Sequence, residues 1–373
     1  MSVRWCAVDR TRPALGTGRV WGRAMTGGCL RGLIAGAALA GTLYASAGWA
    51  GPACGVRTGV AAALGNHGSL DAGQSRIETS SSGGLSCQRG GVAVYGKDWV
   101  RLRLDSHDGG LLRNPTTGDV LPFQIYAGKD RSLPLAVGSL VELSQWSWLG
   151  AAGSADIPLY FATQPATGSS IAAGTYTATL FVRWYWQICP GTLVAGACAA
   201  AGGWDRSRGL TGRCTAGLVC HGVQYWGAGE VAALQLSLTV DTQCEMTTPD
   251  LNFGSAPLVS EFAAASGQVR VRCTKGASYS VGMGPGRHPD GVIRRMSNGS
   301  EFLAYQLYKS NVAADRWGDQ GAERRRSHES ELNPGVLDGL TPQVFQYRGV
   351  ILTDRPTPSA GTYVDHVVVD VQF

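Results

Sequence analysis

Charge is scarce in this chain. Asp, Glu, Lys and Arg make up 16% of its 373 residues, against about a quarter in an ordinary globular protein. The net charge of +5 does not belong to the body of the chain. Residues 1–50 hold six arginines (4, 10, 12, 19, 23 and 31) and one acid, Asp9, which account for all of it, and the rest is neutral. That balance excludes a basic nucleic-acid surface, whose affinity rests on positive charge facing phosphates. Long apolar runs are also missing: the stretch 33–43 is far short of the roughly 20 residues that span a bilayer. The six histidines (67, 107, 221, 288, 328 and 366) are scattered. No HExxH, G-x-S-x-G, P-loop or dinucleotide fingerprint occurs, so neither an enzyme nor a cofactor is expected. Cys214 and Cys220-His221 do not have the two-residue spacing of a zinc knuckle, and no metal is expected there. Extended helical periodicity is absent, which excludes a helical bundle.

What is present is the composition of an all-β protein with many turns: 53 glycines with frequent Thr, Val, Tyr and Trp. Period-2 alternation is clear in Val269, Val271 and Cys273, and again in Leu303, Tyr305 and Leu307. Strands are expected at 267–273, 279–283, 302–308, 343–352, 363–373 and 231–240. Gly, Pro, Asn and Asp fill the segments between them. Short strands at this spacing predict Ig-like β-sandwiches.

The N-terminal region reads as an export leader. Arg31 precedes the apolar stretch, and Ala45-Ser46-Ala47-Gly48-Trp49-Ala50 offers small residues for cleavage. The leader is assigned to 25–50, starting at Met25, with 1–24 a non-native upstream extension. Cys6 and Cys29 leave with it. Eight cysteines remain, an even number that predicts disulfides in an oxidising compartment.

The body of the chain repeats itself. Leu121-Pro122-Phe123-Gln124-Ile125-Tyr126 precedes Ala173-Gly174-Thr175-Tyr176, and Leu303-Ala304-Tyr305-Gln306-Leu307-Tyr308 precedes Ala360-Gly361-Thr362-Tyr363. Cys54 and Cys87 open the first copy and Cys244 and Cys273 the second, so bridges Cys54–Cys87 and Cys244–Cys273 are expected. Cys189, Cys198, Cys214 and Cys220 fall in a stretch that only the first copy has. They are expected to form two bridges, with three connectivities open. The boundary is placed at 241/242, giving a domain over 51–241 with an insertion at 187–228, and a second over 242–373. The short linker predicts stacked domains of limited freedom. Aligned on AGTY, Phe373 falls opposite Trp186. The first copy continues to the strand 231–240, and the second has no such strand. The C-terminal sandwich is therefore expected to lack its last strand and to present an edge at Val367, Val369, Val371 and Phe373 for a strand from another chain. Completion by 231–240 is the competing possibility.

The second copy resembles a spore coat protein U domain, the pilin module of archaic (Csu-type) chaperone–usher pili. The resemblance rests on Cys244 with Phe253-Gly254; on Val271-Arg272-Cys273-Thr274-Lys275-Gly276; on Arg294-Arg295-Met296-Ser297 with 303–308; and on Trp317-Gly318 with 360–363 onward. The first copy is similar to a diverged version of the same module. Two such domains in one exported chain resemble the tip subunit of the pilus. The resemblance implies a periplasmic chaperone, an outer-membrane usher and a neighbouring pilin as partners, and passage through the periplasm to the cell surface. A shaft pilin of this family carries a donor strand before its first Cys. With cleavage after Ala50 only Gly51-Pro52-Ala53 would remain there, so this chain is expected to accept a strand but not to donate one.

Aromatic and aliphatic residues suggest how such a tip would attach. Trp146, Trp148 and Leu149 read as an apolar loop tip. Trp204, Leu218, Val219 and Trp226, with Leu193, Val194 and Tyr225, lie in the insertion. Exposed, they would adhere to an abiotic or host surface by burying apolar area. Trp184 and Trp186 read as core. Arg324-Arg325-Arg326, beside Glu323, Glu329 and Glu331, reads as a solvated loop. Two alternatives stand beside the adhesin: a non-adhesive initiator or cap of the fibre, and a secreted carbohydrate-binding sandwich.

Overall fold

The computed structural model describes residues 2–9, 54–150, 153–165, 168–310 and 314–373, without the side chains of 2–9, 89, 145–150 and 153–155. The expected leader at 25–50 and its cleavage sites lie outside the described residues. Among the described residues nearly all regular structure is β, with one four-residue helix, Ser69–Ala72, and short 3-10 turns. No helix there is long and apolar enough to cross a membrane.

Two sheets repeat one strand order. In the first, Cys54–Val56, Glu78–Arg89, Gly153–Thr163, Val120–Tyr126, Leu111–Arg113 and Gly174–Ile188 are successive neighbours. In the second, Cys244–Thr247, Ala265–Cys273, Gln343–Ile351, Phe302–Lys309, Arg294–Ser297 and Val364–Gln372 follow the same path. Ala93–Ser106 pairs with Gly174–Ile188 as Ser280–Met283 pairs with Val364–Gln372. The internal repeat is thus a repeat of topology. Its cysteines occupy equivalent positions: Cys54 lies opposite Cys87 and Cys244 opposite Cys273, and each pair is bonded.

Alternation decides what each strand buries. In Gly174–Ile188, Tyr176, Ala178, Leu180, Val182, Trp184 and Trp186 face the first core, and Ala232, Leu234, Leu236, Leu238 and Val240 meet them from Glu230–Asp241. Trp184 donates Nε1 to the Gly83 carbonyl at 2.8 Å. Gly83 allows this approach, since a Cβ there would lie 2.7 Å from the indole. The second core is built around Trp317, which packs on Phe345 and Tyr347 and donates Nε1 to the Val281 carbonyl at 3.0 Å.

The junction between the halves is tied by polar groups from both sides. Lys275 Nζ reaches Asp119 at 2.6 Å, and Ala172 pairs with Lys275 in an isolated parallel bridge. Gln243 accepts from the Leu70 N–H and donates to Asp71, while Ser69 Oγ meets Thr274 Oγ1. These bonds leave the two-residue link at 242–243 little freedom.

Burial of phenols sets the alkaline limit of the fold. Desolvation pushes Tyr176 up to about 12, and it raises Tyr279 and Tyr305, with Asp365 adding to the effect at Tyr305. An unfolded tyrosine ionises near 10, so above that pH the unfolded chain loses protons that the folded chain keeps. Burial lowers Arg294 to about 10, which works in the opposite sense, but three tyrosines outweigh one arginine. Stability contributed by these phenols should be complete below about pH 10 and fall through about pH 12. Denaturation midpoints measured at stepped pH, with tyrosinate absorbance alongside, should show unfolding and ionisation together. Ionisation of all tyrosines near 10 without loss of structure would contradict this.

Candidate functional site

The last strand of the second half has an edge that its own domain does not cover. Val367, Val369 and Val371 of Val364–Gln372 are buried in the core, and Phe373 beyond it is 50% exposed. One side of the strand pairs with Ser280–Met283 and touches Arg294–Ser297 at Ser297–Val364. On the other side lies Ser2–Asp9, parallel and in register from Ser2 opposite Val364 to Asp9 opposite Val371. Ser2 and Val3 pair antiparallel with Asn252 and Leu251. In the first half the equivalent place is filled from within: Glu230–Asp241 runs antiparallel to Gly174–Ile188 and parallel to Val60–Gly68. The strand containing 231–240 therefore does not complete the second half. The expectation that this edge finds no partner within the chain needs correcting, because residues 2–9 take it. Comparing the two copies reveals that a strand is missing in order, but not which remote segment satisfies the open row of backbone groups.

Two buried carboxylates hold the final strand independently of its neighbour at that edge. Asp365 accepts from Tyr305 Oη at 2.7 Å and from the Arg287 N–H at 2.8 Å. Asp370 takes Arg324 Nη1 on both oxygens at 3.1 Å, while Arg324 Nε donates to Ser280 Oγ.

At the opposite end of the molecule stands an apolar face. Gly174–Ile188 starts two residues from the junction bridge at Ala172 and runs roughly 45 Å at about 3.3 Å per residue to Cys189, where the insertion begins. The insertion has its own small core of Trp99, Leu193, Cys189, Cys198, Trp204 and Cys220. Cys189 is bonded to Cys198 and Cys214 to Cys220. Around this core Val92, Val94, Tyr95, Val194 and Leu218 are exposed, Leu218 at 55%. They are neighbours through the backbone: Val94 lies opposite Val194, and the Leu218 carbonyl accepts from the Cys198 N–H. Among the described residues no group of three His, Cys, Asp or Glu could hold a metal.

The spore coat protein U domain family matches residues 42–183 and 230–370. This chain belongs to that family. The two matched spans leave out 184–229, where the disulfide-bonded insertion stands. A chain of the CsuC–CsuE chaperone–tip adhesion subunit pre-assembly complex, from archaic chaperone–usher Csu pili of Acinetobacter baumannii, is similar at 26% identity and a TM-score of 0.63, over 86% of this chain and 100% of that one. The CupB6 tip adhesin of Pseudomonas aeruginosa is similar at 9% identity and a TM-score of 0.32, over 86% and 98%. No curated protein sequence matches.

Within this pair of spore coat protein U domains, several sequence expectations change. Trp204 is buried at 5% exposure, not part of an apolar surface loop. It packs on Trp99 at 5.5 Å, and its Nε1 donates to the Leu218 carbonyl at 2.8 Å. Leu193 is buried because Gly96 leaves it room; a Cβ there would fall 2.4 Å from Leu193 Cγ. Trp226 is half-buried against Tyr185, with the Arg101 guanidinium 4.2 Å above its ring, and Val219 is half-buried. Residues 145–150 form a strand paired with Ala93–Ser106, not a loop tip, since their polar–apolar alternation suits a free edge there. The side chains of Trp146, Trp148 and Leu149 lie outside the described residues. The arginine run is no solvated loop either. Arg324 is paired with Asp370, and Arg325 is stacked over Trp317 and Phe345 with Glu331 at 2.9 Å; only Arg326 is exposed. Charge spacing along the sequence cannot reveal that Asp370 folds back onto it. Val92 and Val94 were legible in principle, since they flank Ala93 at period 2.

Removing one partner of a buried ion pair leaves the other charge without compensation. Arg324→Ala should cost about 3–5 kcal/mol in chemical denaturation and loosen the final strand. A cost under about 1 kcal/mol, the range of surface pairs, would contradict the anchoring role.

Proposed function

We propose that this protein is the tip subunit of a chaperone–usher pilus, attaching bacteria to surfaces through its apolar distal pole and joining the fibre by strand complementation of its second domain. The observation that carries the reading is the polarity of the molecule. The final strand Val364–Gln372 takes a strand that lies outside its own domain, and one cluster of exposed apolar residues, Val92, Val94, Tyr95, Val194 and Leu218, stands at the far end of the other domain. Nothing between Cys244 and Gln372 fills the place beside the final strand among the described residues. Ser2–Asp9 precedes the segment read as an export leader, so its removal with the leader would open the slot to a periplasmic chaperone strand and then to a strand of the neighbouring pilin. The usher and passage through the periplasm to the cell surface follow from that route. Similarity to a solved chaperone–tip subunit complex supports the same assignment. The domains are proposed at 51–241 and 242–373, with the insertion 187–228 shaping the pole.

The adhesive mechanism is non-enzymatic. Burying about 300 Å² of apolar surface at about 25 cal/mol per Å² contributes about 7 kcal/mol before ordering costs. Val92, Val94, Tyr95, Val194 and Leu218 would supply it, joined by Trp146, Trp148 and Leu149 on the adjacent strand. The carboxylate anchors of the final strand keep Val367, Val369 and Val371 in place as one wall of the slot.

Two measurements test this. Thermal unfolding of residues 51–373 with an alternating donor peptide from a co-encoded pilin, at a hundredfold excess over Kd, should stabilise the second domain by about 2.7 kcal/mol. A second domain that is stable alone and indifferent to the peptide would count against complementation. Replacing Val94, Val194 and Leu218 with Ser should lower attachment to an apolar surface at least tenfold while fibres still form, and soluble glycans should not compete. Undiminished attachment would favour the non-adhesive initiator, and competition by glycans the carbohydrate-binding alternative.

A further inference from the structure

Four disulfides are present among the described residues, and the sulfurs of one of them, Cys214–Cys220, lie beside a guanidinium. Arg206 places Nη2 3.4 Å from Cys214 Sγ and 3.7 Å from Cys220 Sγ, and its Nε donates to Gln187 Oε1 at 3.1 Å. No carboxylate pairs with Arg206 among the described residues. The guanidinium is therefore half-buried and charged, with a neutral disulfide where a counter-ion would sit. Its burial lowers its pKa, yet an arginine stays protonated in a protein. Reduction of the bond would supply the missing anion, since a thiolate beside an arginine is stabilised and is a better leaving group.

Chain length points the same way. The separation is 6 residues for Cys214–Cys220, 9 for Cys189–Cys198, and 29 and 33 for the two domain bridges. Closure of a longer loop contributes more to a bond's persistence, by a factor of about ten between separations of 6 and 30. Access also differs. Cys189 and Cys198 are both buried, whereas Cys214–Cys220, like each domain bridge, has one half-buried cysteine, so access separates it from Cys189–Cys198 and loop length from the domain bridges.

We propose that Cys214–Cys220 is a thiol–disulfide exchange site, taking a small external thiol such as a glutathione-type tripeptide, with Arg206 as a positioning residue. The thiolate of the incoming molecule attacks Cys214 Sγ. The sulfur–sulfur bond breaks and its electron pair leaves on Cys220 Sγ beside Arg206, giving a mixed disulfide at Cys214. A second thiolate then attacks the sulfur of the bound small molecule and releases Cys214. In sum two external thiols become one external disulfide; one of their protons ends on Cys214 and the other goes to solvent, leaving Cys220 as the thiolate beside Arg206. The bond closes the hairpin of Thr211–Thr215 and Val219–Tyr225, whose tip holds Leu218 in the apolar face. Its opening changes the pole without touching either domain core.

The test uses the whole protein in buffers of graded reduced to oxidised glutathione. Exposed thiols are trapped with an alkylating reagent and located by peptide mass mapping. Cys214 and Cys220 should be alkylated first, with the other three bridges intact. Arg206→Gln should raise the glutathione ratio needed for half-reduction about tenfold, the effect of one pKa unit on the leaving thiol, and Arg206→Lys should restore most of it. The wild-type order of reduction needs no variant, so a poorly folding substitution leaves the test intact. Earlier opening of Cys189–Cys198 or of a domain bridge overturns the proposal, as does an Arg206→Gln protein with an unchanged ratio.

Discussion

A strand buried on one face by its alternate residues still has two rows of backbone N–H and C=O groups, and each buried row must be paired. That requirement, applied to the final strands of the two halves, organises this molecule. In the first half Glu230–Asp241 supplies the missing row and closes the sandwich. In the second half the row is met by Ser2–Asp9, which runs the opposite way relative to its neighbour. In each half the place lies between one strand parallel and one strand antiparallel to the strand that fills it, with the two roles exchanged between the halves.

For such a slot to persist, its walls must not depend on the guest. The buried charges serve this end. Arg324 and Asp370 fasten the final strand near one end, Asp365 with Tyr305 and the Arg287 N–H near the other. Arg294, fully buried, donates to the carbonyls of Gly284, Met283 and Trp317 and to Gln306, joining three segments that also share the second core. These groups are costly to desolvate and add little net stability compared with apolar replacements. Their value is directional: hydrogen bonds specify one register where valines alone would allow sliding.

Much of this was legible in the sequence. Period-2 alternation located the strands at 265–273, 302–309, 343–351 and 364–372 to within a residue or two, and the paired AGTY segments announced the repeat that the structure shows as a common strand order. Family membership followed from the same residues. What escaped was whatever depends on remote partners. Trp204 is short in sequence distance from Leu218 yet buried, because Trp99 reaches it from another strand. The arginine run 324–326 looks solvated until Asp370 returns to meet it. The exposed face was legible in part: Val194 and Leu218, named from the sequence, are exposed, whereas Val92, Val94 and Tyr95 were passed over because Trp residues drew notice as the largest apolar groups.

The long ladder between Gly174–Ile188 and Glu230–Asp241 has a mechanical meaning. Eleven residue pairs run from Gly174–Val240 to Trp184–Glu230, and the strand that ends at Asp241 is followed at once by the link and by Cys244. A pull applied at the distal pole would load this ladder in shear, across many hydrogen bonds together, before passing to the Cys244–Cys273 bond in the next domain. Tension along the molecule is thus carried by parallel backbone bonds and then by sulfur, and no single weak link stands between the pole and the slot.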